Sequence, residues 1–254
     1  MAFAAPVQVV GGGALGTMVA ARLVQAGVEA LLVVREKAGS RPVTLVTATG
    51  ASEEVVVPVT ATPHHRRGRF VLCTKAFDAA AAVAAHCDRE ARVLLLCNGV
   101  LALGALDVET IAATTTHGCF KDAAPGRVVH AGVGRVWIDG RGHDFVDDFR
   151  RAGLRPVALD EQEMTDRLWR KLAANAVLNP LTAIFQCANG DALPQAQDDA
   201  RAVCREIAHL RAILAPGDNE SVEEGVEEAV VEEGVEEGVE EAVVEEGVEE
   251  GVEE

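Results

Sequence analysis

The stretch that most narrows the folds open to this chain runs from Val7 to Val34. An apolar run, Val7 to Val10, leads into Gly11-Gly12-Gly13-Ala14-Leu15-Gly16. A helical pattern from Ala14 to about Ala26 follows, Gly27 closes it, and a second apolar run spans Glu29 to Val34. Strand, glycine turn, helix and strand at this length make one βαβ unit, and that context lifts a weak G-x-G-x-x-G match to a strong one. Each spaced glycine has a physical task. Gly11 permits a tight turn, Gly13 lets the backbone approach a pyrophosphate, and Gly16 lets the helix pack close to the strand, with the helix N-terminus facing the anion. A dinucleotide site is therefore expected here, against the plainer alternative of a glycine-rich turn with no ligand.

The end of the second strand bears on which dinucleotide. An acidic residue there accepts from a ribose 2′-hydroxyl, but this chain has Val34-Arg35-Glu36, with Arg35 nineteen residues after Gly16. A guanidinium suits a 2′-phosphate, which favours NADP. Glu36 takes the ribose role if the register is displaced by one residue, and a solvated Arg35 without a role is the remaining alternative.

Further along, Val43 to Val46 and Val55 to Val59 are expected to form a hairpin around Thr49-Gly50-Ala51. Phe70 to Cys73 is the next core strand and runs into Thr74-Lys75, after which Ala76 to Ala85 is an alanine-rich helix. Val93 to Leu96 is another buried strand and delivers Cys97-Asn98-Gly99. In an open α/β sheet ligands sit beyond the carboxyl ends of the strands, so Lys75 and Asn98 fall where a phosphate or an anionic substrate would lie. An Asn-Gly turn without a function explains Asn98 almost as well. Thr114 to Cys119 is a further β-rich segment, in which His117 reads better as a hydrogen-bonded structural residue than as an acid or base. Val128 to Ala131 and Arg135 to Ile138 read as a hairpin around Gly132, His143 to Ala152 as a helix, and Val157 to Leu159 as a last strand. A first domain, residues 1–160, is expected to end there.

From Glu161 the periodicity becomes helical. Within Leu168 to Thr182, Lys171, Asn175 and Asn179 recur at i, i+4 and i+8, so on a helix they form one narrow polar stripe. Leu168, Leu172, Ala173, Ala176, Val177 and Leu178 make the rest apolar, and the helix is expected to be buried nearly all round. Burying an ammonium and two amides without partners costs several kcal/mol, so the stripe should face polar groups, water or a ligand. The alternative is a snorkelling lysine with two helix-end amides. Pro180 lacks an N–H and crowds the carbonyl of Ala176, so the helix should kink or end there. Another helix is expected from about Gln195 to Leu214.

After Pro216-Gly217 the sequence changes character. Ser221 to Glu233, Gly234 to Glu246 and the start of a third copy repeat a thirteen-residue unit of valine, glutamate, glycine and alanine. Its valines drift around a helix, its glycines cost helix about 1 kcal/mol each, and its glutamates repel, so residues 220–254 are expected to be a disordered acidic tail. The net charge of −17 belongs to this tail, because residues 220–254 hold 17 glutamates and no lysine or arginine. The remainder is formally neutral, which leaves no electrostatic case for nucleic-acid or anionic-membrane binding. Six dispersed cysteines without a C-x-x-C pair favour reduced thiols and no structural zinc, and no apolar run reaches membrane-spanning length. A soluble cytoplasmic protein is expected.

Taken together, GGGALG at Gly11 to Gly16, Arg35, Lys75, Cys97-Asn98-Gly99, TTTHG at Thr114 to Gly118, Trp169-Arg-Lys-Leu-Ala-Ala-Asn-Ala-Val-Leu-Asn-Pro-Leu-Thr-Ala and Cys187-Ala-Asn-Gly give a set that resembles the ketopantoate reductases (2-dehydropantoate 2-reductases). The resemblance covers residues 7 to about 214. It implies an α/β fold in which an N-terminal Rossmann-type NADPH-binding domain is joined to an all-helical domain, with the substrate between them. It further implies that Gly11, Gly12, Gly13, Ala14, Leu15, Gly16, Arg35, Lys75, Asn98 and Cys119 line the cofactor. Lys171 would be the proton donor, and Asn98, Asn175, Asn179 and Asn189 would hold the substrate. The pattern departs after about Leu214, where the family's helical domain continues and this chain has the repeat. Residues 161–219 are therefore expected to be a shortened helical domain, with self-association as one way to cover it.

The expected activity is NADPH-dependent reduction of 2-dehydropantoate to pantoate, in pantothenate biosynthesis. One rival is a related NADP-dependent reductase of another 2-keto acid, which substrate screening separates. The other is an inactive NADP-binding member of the family, which would bind NADPH without turnover.

Overall fold

The computed structural model describes residues 6–35, 38–47, 49–99, 106–187 and 189–214. The expectations for Glu36 and for the tail from Glu220 fall outside them. Two compact units divide the chain, Met1–Met164 and Thr165–Glu254.

In the first unit, β1 (Val7–Val10), β2 (Ala30–Val33), β5 (Arg69–Leu72), β6 (Arg92–Leu95) and β7 (Glu109–Thr115) run parallel in the order β2-β1-β5-β6-β7. Their near-continuous valine and leucine content is what strands buried on both faces require. The helix α1 (Ala14–Gln25) packs Met18 and Leu23 on the sheet face that carries Val7, Val9 and Leu32, together with Phe145 and Phe149 of α3 (His143–Arg151). On the opposite face α2 (Ala76–His86) sets Ala79 and Val83 against Val10, Leu31, Phe70 and Leu72. Arg69, at the start of β5, ties sheet to helix through Asp148 Oδ2 at 2.7 Å, with its guanidinium over the ring of Phe145.

The sheet continues past β2 through β4 (Ser52–Thr60) and β3 (Gly39–Thr47), the hairpin expected around Thr49-Gly50-Ala51, and on to β9 (Arg127–Gly132) and β8 (Gly118–Lys121). At its other end lie β10 (Val136–Asp139) and β11 (Pro156–Leu159). The expected hairpin around Gly132 does not form. Its two runs, β9 and β10, are one arm of a longer hairpin whose other arm is β7 followed by β8, turning at Asp122 to Gly126, where Gly126 has φ +78°. The chain passes straight through Gly132, the last residue of β9, which pairs with Gly118. The arm breaks instead at Val133-Gly134-Arg135, where Gly134 lies so close to Thr116 on the facing arm that a Cβ there would overlap its backbone. The two halves of each arm thus pair at opposite ends of the sheet order. His117 pins the break. Its Nδ1 accepts from Gly134 N–H at 3.1 Å and lies 3.0 Å from His130 Nε2, while its Nε2 is 3.1 Å from the Leu154 carbonyl.

A capping box starts the first long helix, α4 (Glu161–Phe185): Glu163 N–H donates to Asp160 Oδ1, and Asp160 N–H to Glu163 Oε2, each at 2.9 Å. In the second unit α4 is followed by α5 (Asn189–Ala192) and α6 (Gln197–Leu214). Ala173, Ala174, Val177, Leu178 and Leu181 of α4 pack with Ala192, Ala196, Ala200 and Cys204. Arg211 of α6 pairs with Asp166 of α4. One expectation is narrowed here and another corrected. The helix does not end at Pro180 but runs on to Phe185, and Thr182 Oγ1 donates back to the Leu178 carbonyl at 2.9 Å. Nor is α4 buried all round, since Arg170, Asn179, Ala183 and Ile184 are exposed. It is amphipathic, and the alanines on its inner face let α6 approach without a larger apolar surround.

Candidate functional site

The glycine turn follows directly from β1. Gly11 has φ +114°, and a Cβ there would lie 2.8 Å from the Cys73 carbonyl oxygen, so both conformation and space exclude a side chain. A Cβ on Gly16 would overlap the Gly11 carbonyl, so α1 can pack onto the turn only through glycine. Gly13 differs: φ is −69°, and nothing lies within 4 Å of its would-be Cβ. Neither strain nor internal packing calls for glycine at 13, and a ligand approaching the backbone does. No side chain caps α1, and its first turn carries no acidic residue. The start of α1, beside an exposed Gly13, thus carries N–H groups without a side-chain cap, a setting suited to a phosphate.

The other expected positions in the first unit gather around this turn. Lys75, exposed, is the N-cap of α2 and contributes no side-chain cap. Asn98 is exposed in the turn after β6, and the Gly99 that follows has φ +81° with its would-be Cβ 3.2 Å from Ala76 Cβ, which sets Asn98-Gly99 against the start of the Lys75 helix. Cys73 ends β5. Its thiol is pushed above the usual range by burial first, then by the neighbouring Cys97 and Cys119, so Cys119, half-buried on β8, belongs to the same neighbourhood. Burial also raises Cys97 and Cys119 to about 11, which keeps them as neutral thiols rather than nucleophiles. Arg35 is exposed just beyond β2, next to Val34, whose Cγ1 would be 2.7 Å from a Cβ on Gly12. Sequence reasoning passed over Arg41 on β3. Its Nη1 lies 3.7 Å from the same Gly12 position. No local motif announces it, because β3 reaches the turn only through strand pairing.

In the second unit Lys171 is 8% exposed on α4 and engages other groups of the chain. Asn175, one turn on, is half-buried, while Asn179, two turns on, is exposed. Lys171 and Asn175 thus form the buried end of the stripe and Asn179 its solvent end. Asn189 opens α5. His117, half of a buried imidazole pair, is structural as expected. Among the described residues there is no group of three or more His, Cys, Asp or Glu able to hold a metal, and no helix long and apolar enough to cross a membrane.

Comparison with known proteins bears on what such a cradle serves. Residues 7–141 match the family model described as Ketopantoate reductase PanE/ApbA, and residues 163–249 match the model of its C-terminal part, a span that runs into the glutamate repeat. A 2-dehydropantoate 2-reductase of Archaeoglobus fulgidus is 32% identical over 215 residues, 79% of this chain and 71% of that protein. One from Vibrio cholerae is 35% identical over 157 residues, 57% of this chain, so the match spans about half (52%) of the Vibrio protein. The crystal structure of 2-dehydropantoate 2-reductase from Methylococcus capsulatus superposes with a TM-score of 0.70 at 22% identity, covering 89% of this chain and 79% of that one, and shares the fold.

Proposed function

The chain belongs to the ketopantoate reductase family, and from that premise we propose that it reduces 2-dehydropantoate to pantoate with NADPH in the cytoplasm. The family is one of nicotinamide-dinucleotide-dependent oxidoreductases. The residues around the glycine turn fit such a cofactor: Gly13 leaves room for a pyrophosphate, the uncapped start of α1 offers N–H donors, and Lys75 and Arg35 supply positive charge. Arg35 favours NADP over NAD because a guanidinium can pair the 2′-phosphate with two hydrogen bonds.

When bound, NADPH supplies the hydride that adds to the keto carbon. Negative charge then builds on the keto oxygen. The single observation that carries the catalytic assignment is the burial of Lys171, a cation 8% exposed at the buried end of the polar stripe it forms with Asn175 and Asn179. The Lys171 ammonium stabilises the forming alkoxide and donates the proton that completes the hydroxyl. Such acid catalysis contributes roughly 10² to 10⁴ in rate. Asn175, with Asn98, Asn179 and Asn189, holds the carboxylate and hydroxyl of the substrate so that one face of the ketone meets the cofactor.

The test is ketopantoate-dependent loss of NADPH absorbance by the full-length chain, beside the Lys171→Met variant. Turnover that falls at least about a hundredfold in the variant while NADPH affinity holds supports the assignment. Turnover with another 2-keto acid only would identify a related reductase, and NADPH binding without turnover on any keto acid would identify a non-catalytic member of the family.

A further inference from the structure

Arg41, on β3, and Arg35, just beyond the end of β2, come to the same edge of the sheet. β2 and β4 are parallel, with Leu32 opposite Val59 and Val33 opposite Thr60, while β3 runs antiparallel to β4, with Gly39 opposite Val59. β3 therefore begins at the edge where β2 ends, and Arg41 is the third residue of β3. Side chains alternate along a strand, so Arg41 shares a face with Val43 and Leu45. Both are fully buried in the core cluster that contains Met18 and Leu23 of α1. Arg41 thus sits on the α1 face at the rim of that core. Its side chain reaches back to the glycine turn, with Nη1 3.7 Å from the would-be Cβ of Gly12, where Val34 Cγ1 closes the other side at 2.7 Å. Arg35 follows Val34 and is exposed.

Resting on the NADP reading above, we propose that Arg41 is a second specificity-determining residue, contacting the 2′-phosphate of the adenosine ribose together with Arg35. The physical case rests on charge and place. A phosphate monoester carries close to two negative charges near neutral pH. One exposed guanidinium pairs with it weakly in water, whereas two guanidiniums from a rigid strand and its neighbouring turn meet it with little loss of side-chain freedom. Gly12 keeps the wall between them low: any side chain there would press against Val34 and fill the space in front of Arg41 Nη1. Arg41 also interacts elsewhere within the chain, so the phosphate shares it rather than meeting an unengaged cation.

The experiment is a titration of NADPH, NADH, 2′,5′-ADP and 5′-AMP by calorimetry with the full-length chain, using the wild type and the variants Arg41→Ala, Arg41→Lys, Arg35→Ala and the double variant, each first checked by thermal melting. Arg41→Ala should weaken NADPH and 2′,5′-ADP about tenfold or more and change NADH and 5′-AMP less than about twofold, with partial recovery in Arg41→Lys. The double variant should bind NADPH and NADH alike. If Arg41→Ala melts early, Arg41→Lys carries the test: a retained charge without the planar fork should still lose part of the preference. A wild type that prefers NADPH and keeps that preference in the Arg41 variants overturns the role of Arg41 alone, as does equal weakening of NADPH and NADH. A wild type that binds neither nucleotide overturns the cofactor reading and this proposal with it.

Discussion

The two glycines that bracket the start of α1 serve different masters, and substitution separates them. Gly16→Ala puts a methyl into the Gly11 carbonyl, where only backbone movement can relieve it. It should destabilise the first unit by at least about 2 kcal/mol and lower the melting temperature. Gly13→Ala meets nothing within 4 Å and keeps an ordinary φ of −69°. Its stability should stay within about 1 kcal/mol of the wild type, while NADPH affinity falls at least about tenfold because the methyl enters the space proposed for the pyrophosphate. Undiminished NADPH binding by Gly13→Ala in calorimetry would remove that assignment. Arg35 permits a similar separation. Arg35→Ala should cost NADPH about 1.5 to 3 kcal/mol and leave NADH unchanged, and equal losses for both would show that Arg35 does not read the 2′-phosphate.

At the scale of elements, the bent hairpin formed by β7 and β8 with β9 and β10 turns on the His117–His130 pair. Gly134 N–H donates to His117 Nδ1, so that nitrogen is unprotonated and the Nε2–H faces the Leu154 carbonyl. His130 then donates Nε2–H to the same Nδ1 and keeps a bare Nδ1 that is buried without a protein partner. Burial lowers the affinity of both rings for a proton, and for His130 the neighbouring His117 adds to it, holding His130 at about 4. The folded state therefore binds fewer protons than the unfolded chain, whose histidines titrate near 6.5. This contribution is complete above about pH 6.5 and is lost as the pH falls from there toward about 4. Chemical denaturation should show the first unit losing on the order of 2 kcal/mol by about pH 5 from His130 alone. His130→Gln keeps a donor toward His117 and cannot charge, so it should flatten that slope. An unaltered acid slope in the variant would assign the loss to other groups.

Across the whole molecule, the expected cofactor residues and Lys171 lie on different units: Gly11 to Cys119 within Met1–Met164, and Lys171 in the unit that begins at Thr165. Nucleotide affinity and turnover should therefore respond to different changes. Cutting the chain after Gly217 removes the repeat and no residue proposed for the cofactor, so NADPH affinity should remain within about twofold of the full chain. A loss beyond about tenfold would mean that the acidic segment contributes to the nucleotide site.

The βαβ unit, the helices, the Thr49-Gly50-Ala51 hairpin and the family were legible in the sequence because each is written in neighbouring residues. Alternation of two or a period near four tells strand from helix, and a glycine at a fixed offset records a turn. The tasks of Gly11 and Gly16 could likewise be named in advance, since the atoms that exclude a side chain come from the same strand–turn–helix or its adjoining strand. Three things were decided only in three dimensions. Val128 to Ala131 and Arg135 to Ile138 pair with a strand read as a separate segment, because a glycine that permits close approach is spelled like one that permits a turn. The helix outlasts Pro180, because the Ala173-to-Leu181 face has Ala200 and Cys204 of α6 to pack on. Arg41 comes to Gly12 across twenty-nine residues of chain, through the register of three strands that no local pattern records. Local chemistry fixes which elements form; which side chains share a site is set by long-range pairing, whose free energy is spread over a sheet and written in no single residue.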